Sequence, residues 1–97
     1  MSTTPFLMEL DHIVRDRLAA DDPEASYTAR LAAAGIVRAA QKVGEEGVEV
    51  ALAAAAGDDD DALVGEAADL IYHLSVVLAL RGLSLSDVSA RLESRHR

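Results

Sequence analysis

Residues 36–56 read IVRAAQKVGEEGVEVALAAAA, and this run decides the fold class. It holds no proline, it is rich in alanine, and its larger apolar residues recur at helical rather than alternating spacing. At about 100° per residue, Lys42, Glu45, Glu46 and Glu49 fall within an arc of roughly 100°. Ile36, Val43 and Val50 lie on one side of that stripe, and Val48 and Leu52 on the other. A solvated helix face is ordinarily flanked by polar residues; here a charged stripe is set into apolar surface. The spacing predicts a helix from Ile36 to Ala56, with Gly35 as a break before it and Gly57 as its end.

Outward from this helix, the same arrangement recurs. A helix is expected over Ala62–Leu80, on which Glu66, Asp69 and His73 share a stripe with Leu70, Val77 and Leu80, adjoined by Ala67, Ile71, Leu74 and Leu78. The acidic run Asp58–Asp61 sits before it, where negative charge complements the helix dipole, and reads as a solvated turn. Toward the amino terminus, Phe6, Leu7, Leu10, Ile13, Val14 and Leu18 mark a first helix that stops near Asp21-Asp22-Pro23. Ser26 is a candidate N-cap for a short helix through about Ala34. Past Gly82, Ser84-Leu85-Ser86-Asp87 has the form of a capping box, opening a last helix with Leu85, Val88 and Leu92 on its inner face.

Half of the 97 residues are apolar, yet only Phe6, Tyr27 and Tyr72 are aromatic. The expectation is one all-α domain over residues 1–97, a small bundle of about five helices. A core this small is marginal, so completion by a second copy is expected. The absence of cysteine excludes disulfides and thiolate chemistry. The net charge of −8 argues against a nucleic-acid-binding surface, which needs clustered cations. Met1–Glu9 carries no basic segment followed by a long apolar core, so no signal peptide is read there. Acids interrupt every long apolar run, so no membrane span is expected. A cytoplasmic location suits these features.

A carboxylate on an otherwise apolar face is costly to desolvate, and several together repel one another. Hard divalent cations compensate both costs, and Mg²⁺ takes carboxylates together with substrate phosphates. Two pairs at i, i+3 spacing, Glu46/Glu49 and Glu66/Asp69, meet that requirement, each pair directed one way. The competing reading is a set of surface ion pairs with Lys42 or Arg38. Gly44 and Gly47 violate helix propensity beside the acids, either for function or for the close approach of another helix.

At these residues the chain resembles the phosphoribosyl-ATP pyrophosphohydrolase family, within the all-α nucleoside-triphosphate pyrophosphohydrolases. The resemblance rests on Ser26-Tyr27-Thr28, Gln41 through Glu49, Glu66 through His73, and Arg95-His96. It runs from about Asp11 to the end. ExxE…ExxD alone is moderately specific; its combination with SYT, KVGEE and LIYH is highly specific.

The resemblance implies Mg²⁺-dependent hydrolysis of phosphoribosyl-ATP to phosphoribosyl-AMP and pyrophosphate in histidine biosynthesis. It also implies a bundle built from two chains with the site near their interface. It makes Glu46, Glu49, Glu66 and Asp69 the Mg²⁺ ligands, with Glu45, Glu46 and Glu49 as candidate catalytic carboxylates. Lys42 is either a phosphate contact or an intrahelical ion pair. Arg30 is a weaker phosphate candidate, and Arg17 another. Ser26, Tyr27 and Thr28 either bind an anion at a helix start or simply cap and pack. His73 either touches substrate or is a satisfied core histidine. Arg95 either complements the helix dipole or reaches substrate held by a partner subunit. Two other readings stay open. One is a related enzyme acting on surplus or non-standard nucleoside triphosphates; the other is a non-catalytic helical dimerisation module. The family motif often has alanine where this chain has Gly47, which loosens the helix without changing the chemistry.

Overall fold

Two helices, α3 (Ile36–Ala56) and α4 (Asp60–Leu80), pack along each other as an antiparallel hairpin. The computed structural model describes residues 4–97. Met1–Thr3, the start of the stretch read above for a signal peptide, lie outside the described residues. The hairpin turns within three residues because Gly57 adopts the left-handed conformation at φ 73°. Its N–H donates to the Ala54 carbonyl at 3.3 Å, and the Asp58 N–H reaches the Ala53 carbonyl at 3.1 Å, so the last carbonyls of α3 are satisfied. The next helix starts at once because the Asp59 carboxylate accepts the Ala62 N–H at 2.8 Å. That cap moves the start of α4 two residues ahead of the expected Ala62 and places Asp60 and Asp61 in its first turn.

The remaining helices are α1 (Thr4–Ala20), α2 (Tyr27–Ala34) and α5 (Leu85–Arg95). The structure is all-α, as the composition implied, and holds no strand among the described residues. Ser26 caps α2 through the Ala29 N–H at 3.2 Å. Between α2 and α3, Gly35 takes φ 100° and ψ 165°, a region essentially restricted to glycine, which lets the chain turn with no loop. The capping box of α5 is formed: the Asp87 N–H donates to Ser84 Oγ and the Ser84 N–H to the Asp87 carboxylate.

The α1 helix packs against α2, α4 and α5, and α2 also meets α3 and α4. One buried cluster joins four helices: Val14, Leu31, Ala39 and Val76. This core is small. Of the apolar residues that mark α1, Phe6 and Leu7 are exposed, while Leu10 and Leu18 pack on the core. On α5, Leu85 is buried but Leu92 is 50% exposed, because the end of this helix flanks an open cleft rather than another helix.

Among the described residues, only α4 is long and apolar enough to cross a membrane by length and composition. Its middle carries Glu66, Asp69 and His73, which would be expensive in lipid and which here face other side chains.

Candidate active site

The α3–α4 seam brings acids from both helices together. One carboxylate oxygen each from Glu46, Glu66 and Asp69 lie within 4.8 Å of one another. Glu46 is the innermost, 6% exposed, and Glu66 is half-buried. Glu49 stands outside this triplet and is exposed, yet its carboxylate is close enough to raise the pKa of both Glu46 and Glu66. The i, i+3 spacing brings Glu66 and Asp69 of α4 together with Glu46 of α3, and leaves Glu49 at their solvent edge.

The electrostatics follow from that crowding. Burial pushes the Glu46 carboxyl above its ordinary value of 4.5, and a hydrogen bond with Glu49 and the charges of Glu49 and Asp69 push the same way. His73 opposes the rise. Glu66 is raised first by its hydrogen bond with Glu49, then by burial, then by the charges of Glu49, Glu46 and Asp69. Two oxygens, Glu46 Oε2 and Glu66 Oε2, are buried and have no hydrogen-bond partner. Buried polar atoms are rarely left so. A divalent cation at the triplet would fill those lone pairs and cancel the repulsion, so the donor set fits a hard metal ion with oxygen ligands.

Glu45 does not join the cluster. One residue before Glu46, it turns about 100° away and lies 3.4 Å from Arg38 Nη1 and 3.5 Å from Lys42 Nζ. Lys42 is itself half-buried beside the acids. The ion-pair reading thus describes Glu45, whereas Glu46, Glu66 and Asp69 converge, with Glu49 acting on Glu46 and Glu66 from the exposed edge.

The first turn of α2 borders the site. Tyr27 Oη lies 3.1 Å from His73 Nε2, and Thr28 Oγ1 hydrogen-bonds the Tyr72 hydroxyl. His73 Nδ1 donates to the Asp69 carbonyl at 2.9 Å and lies 3.7 Å from Glu46 Oε1. Sequence reasoning gives Tyr72 no role, since its hydroxyl contact joins positions 44 apart in the chain. Arg30 is exposed, with its guanidinium 5.8 Å from the Tyr27 ring centre and one N–H donated to the Pro23 carbonyl. Arg95 is not brought to the acids. It lines a separate cleft of about 310 Å³ with Leu78, Val88, Arg91 and Leu92. A larger cavity of about 400 Å³ lies at the α4–α5 corner, where Ser84 and Asp87 already spend their polar atoms on capping.

Against known proteins, the family model described as phosphoribosyl-ATP pyrophosphohydrolase matches residues 7–96. The phosphoribosyl-ATP pyrophosphatase of Methylobacterium nodulans is 57% identical over 93 residues, 96% of this chain and 85% of that protein. The protein of the same name from Sphingopyxis alaskensis is 53% identical over 90 residues, covering 93% and 82%. The histidine biosynthesis bifunctional protein HisIE of Photobacterium profundum is 59% identical over 91 residues. This chain spans 43% of the length of that bifunctional protein.

Proposed function

The chain belongs to the phosphoribosyl-ATP pyrophosphohydrolase family, and on that premise we propose that it hydrolyses phosphoribosyl-ATP to phosphoribosyl-AMP and pyrophosphate, a step of histidine biosynthesis. Water is consumed and the anhydride bond between the α and β phosphates breaks, its hydroxyl and proton being shared between the two products. The observation that carries the reading within the structure is the pair of partnerless buried oxygens, Glu46 Oε2 and Glu66 Oε2, in a triplet of acids.

In this reading Glu46, Glu49, Glu66 and Asp69 hold Mg²⁺. When bound, the ion supplies positive charge that offsets the phosphate oxygens and the developing charge on the leaving group. In this reading the exposed Glu49 accepts the proton of the attacking water, its exposure being what supports that role. Glu46 and Glu66, deeper in the seam, hold their geometry by packing between α3 and α4. Lys42 reaches a substrate phosphate, and Glu45 holds Lys42 in place from the solvent side. Arg30, beside Tyr27 at the start of α2, is a second cation for the phosphates. Ser26 and Thr28 serve mainly to fix that turn, since their hydroxyls are spent on the Ala29 N–H and Tyr72.

The proposed working unit is a homodimer in the cytoplasm. Val37, Val48 and Leu52 line one outward face of α3, and Val64 and Ile71 one face of α4, all exposed. Apolar surface on two packed helices marks an association face, and a second copy would extend a core that is small in one chain. Arg95 would then serve the substrate bound by the other copy.

The test is pyrophosphate release from phosphoribosyl-ATP with and without Mg²⁺, compared with ATP and deoxynucleoside triphosphates. Mg²⁺-dependent release favouring phosphoribosyl-ATP is expected. Preference for an ordinary nucleotide moves the chain to the housekeeping enzymes, and no turnover by folded protein leaves a helical module.

A further inference from the structure

The histidine beside the carboxylates is held more firmly than a substrate contact needs. His73 is 7% exposed, midway along α4. Its Nδ1 lies 2.9 Å from the Asp69 carbonyl, which only accepts, so Nδ1 carries the hydrogen. In the neutral ring Nε2 then has a lone pair, and the Tyr27 hydroxyl donates to it at 3.1 Å. The ring edges are clamped as well. Tyr27 stands against the imidazole at 5.8 Å between centres and 83°, and Tyr72 at 5.2 Å and 69°. Thr28 anchors the Tyr72 hydroxyl. Both tyrosines are thus tied to the first turn of α2, and both imidazole nitrogens are engaged.

The consequence falls on Glu46. His73 Nδ1 sits 3.7 Å from Glu46 Oε1, too far for a hydrogen bond but close enough for the partial positive charge of the N–H that the Asp69 carbonyl accepts to favour that oxygen. The other oxygen, Oε2, is the one left buried without a partner. Resting on the reading of the triplet as a cation site, we propose that Tyr27 and His73 are positioning residues. They fix which Glu46 oxygen is presented to the cluster and thereby set its affinity for a divalent cation. Neither needs to touch the substrate. Groups that orient a metal ligand from behind are typically worth about 10–100-fold in metal affinity.

The experiment titrates the metal-free protein with Mg²⁺ alone by calorimetry and with Mn²⁺ by electron paramagnetic resonance. Wild type is compared with Tyr27→Phe, His73→Asn and His73→Phe, each first checked for a native melting transition. Tyr27→Phe keeps the ring and removes only the hydroxyl, and is expected to weaken cation binding about tenfold. His73→Asn retains a donor near the Nδ1 position, so it should bind better than His73→Phe, a rescue that packing alone would not produce. At saturating Mg²⁺, the KM for phosphoribosyl-ATP should stay near wild type in Tyr27→Phe. Wild-type affinity in folded Tyr27→Phe and His73→Phe would overturn the positioning role while leaving the cation site intact. If wild type itself binds neither ion, the cation site and this inference fall together.

Discussion

Asp11 and Glu46 are buried almost equally, 5% and 6% exposed, and both are carboxylates in an all-helical protein. Their surroundings are opposite. Asp11, on α1, accepts the Leu85 N–H at 2.8 Å, the Ser86 N–H at 3.2 Å and the Ser86 hydroxyl at 3.2 Å. It closes the amino-terminal end of α5 from outside, in addition to that helix's own capping box. Every one of these groups donates to it. Glu46 meets acids instead, and keeps one oxygen with no partner. A buried carboxylate whose lone pairs are filled by the fold serves the fold. One that the fold leaves unfilled, at a cost in stability, is what the proposed cation site calls for.

The largest expected effect separates the two by activity. Glu46→Gln should lower turnover on the order of a thousandfold, about 4 kcal/mol in the barrier. The metal-free protein should be as stable as wild type or more so, because a neutral amide is cheaper to bury and no longer repels Glu49 and Asp69. Steady-state kinetics together with urea denaturation in chelator reads both halves. A variant that stays active, or unfolds, removes the distinction.

Asp11→Ala should do the reverse. It strands the buried Leu85 N–H and the Ser86 N–H, and a loss of about 2–3 kcal/mol in unfolding free energy is expected. The folded fraction should keep its kcat and KM, since Asp11 touches nothing at the α3–α4 seam. A loss of turnover exceeding the loss of folded protein would show that α5 shapes the site.

The third effect is smaller and depends on pH. Glu46 and Glu66 have folded-state pKa values above the ordinary 4.5. Above that pH the unfolded chain has released protons that the folded chain still holds. The folded state then binds more protons, so stability falls as pH rises from 4.5 through the raised values. If Mg²⁺ binds these oxygens as proposed, it takes them in their ionised form, so its stabilisation should grow with pH over the same window. Melting temperature against pH, in chelator and in Mg²⁺, measures this. Two parallel curves would mean that the ion binds elsewhere. Removing Asp11 should leave the gap between the curves unchanged, whereas Glu66→Gln should narrow it.

The contrast also explains what the sequence could reveal. Helix ends were readable because their causes are local: Ser26 caps three residues on, Gly57 closes α3, and Ser84 and Asp87 answer each other. The start of α4 was less so, because any of four consecutive aspartates can cap and only geometry selects Asp59. Pairing acids at i, i+3 on two helices was likewise a local inference, and the seam brings them together. The roll of α3 about its axis was not local. It decides that Glu46 turns to α4 while Glu45 turns to Arg38 and Lys42. Asp11 had no legible signal at all, since its partners begin 74 positions away.

The smallest expected effect concerns Gly47, next to Glu46. A Cβ added there would meet nothing within 4 Å in this chain, so no steric demand within the subunit explains the glycine. Gly47→Ala should then recover the helix propensity that glycine forgoes, about 0.5–1 kcal/mol by chemical denaturation. Turnover should not change, because the new methyl group points about 100° away from the Glu46 side chain. The outcome that matters most is a reversal of sign. If Gly47→Ala destabilises the protein, and does so more at high protein concentration, the empty space belongs to a second copy. The low propensity beside Glu46 would then reflect assembly. If instead stability rises while Mg²⁺ affinity falls, the looseness of this turn is part of how the acids accommodate the ion, as the partnerless oxygen of Glu46 would lead one to expect.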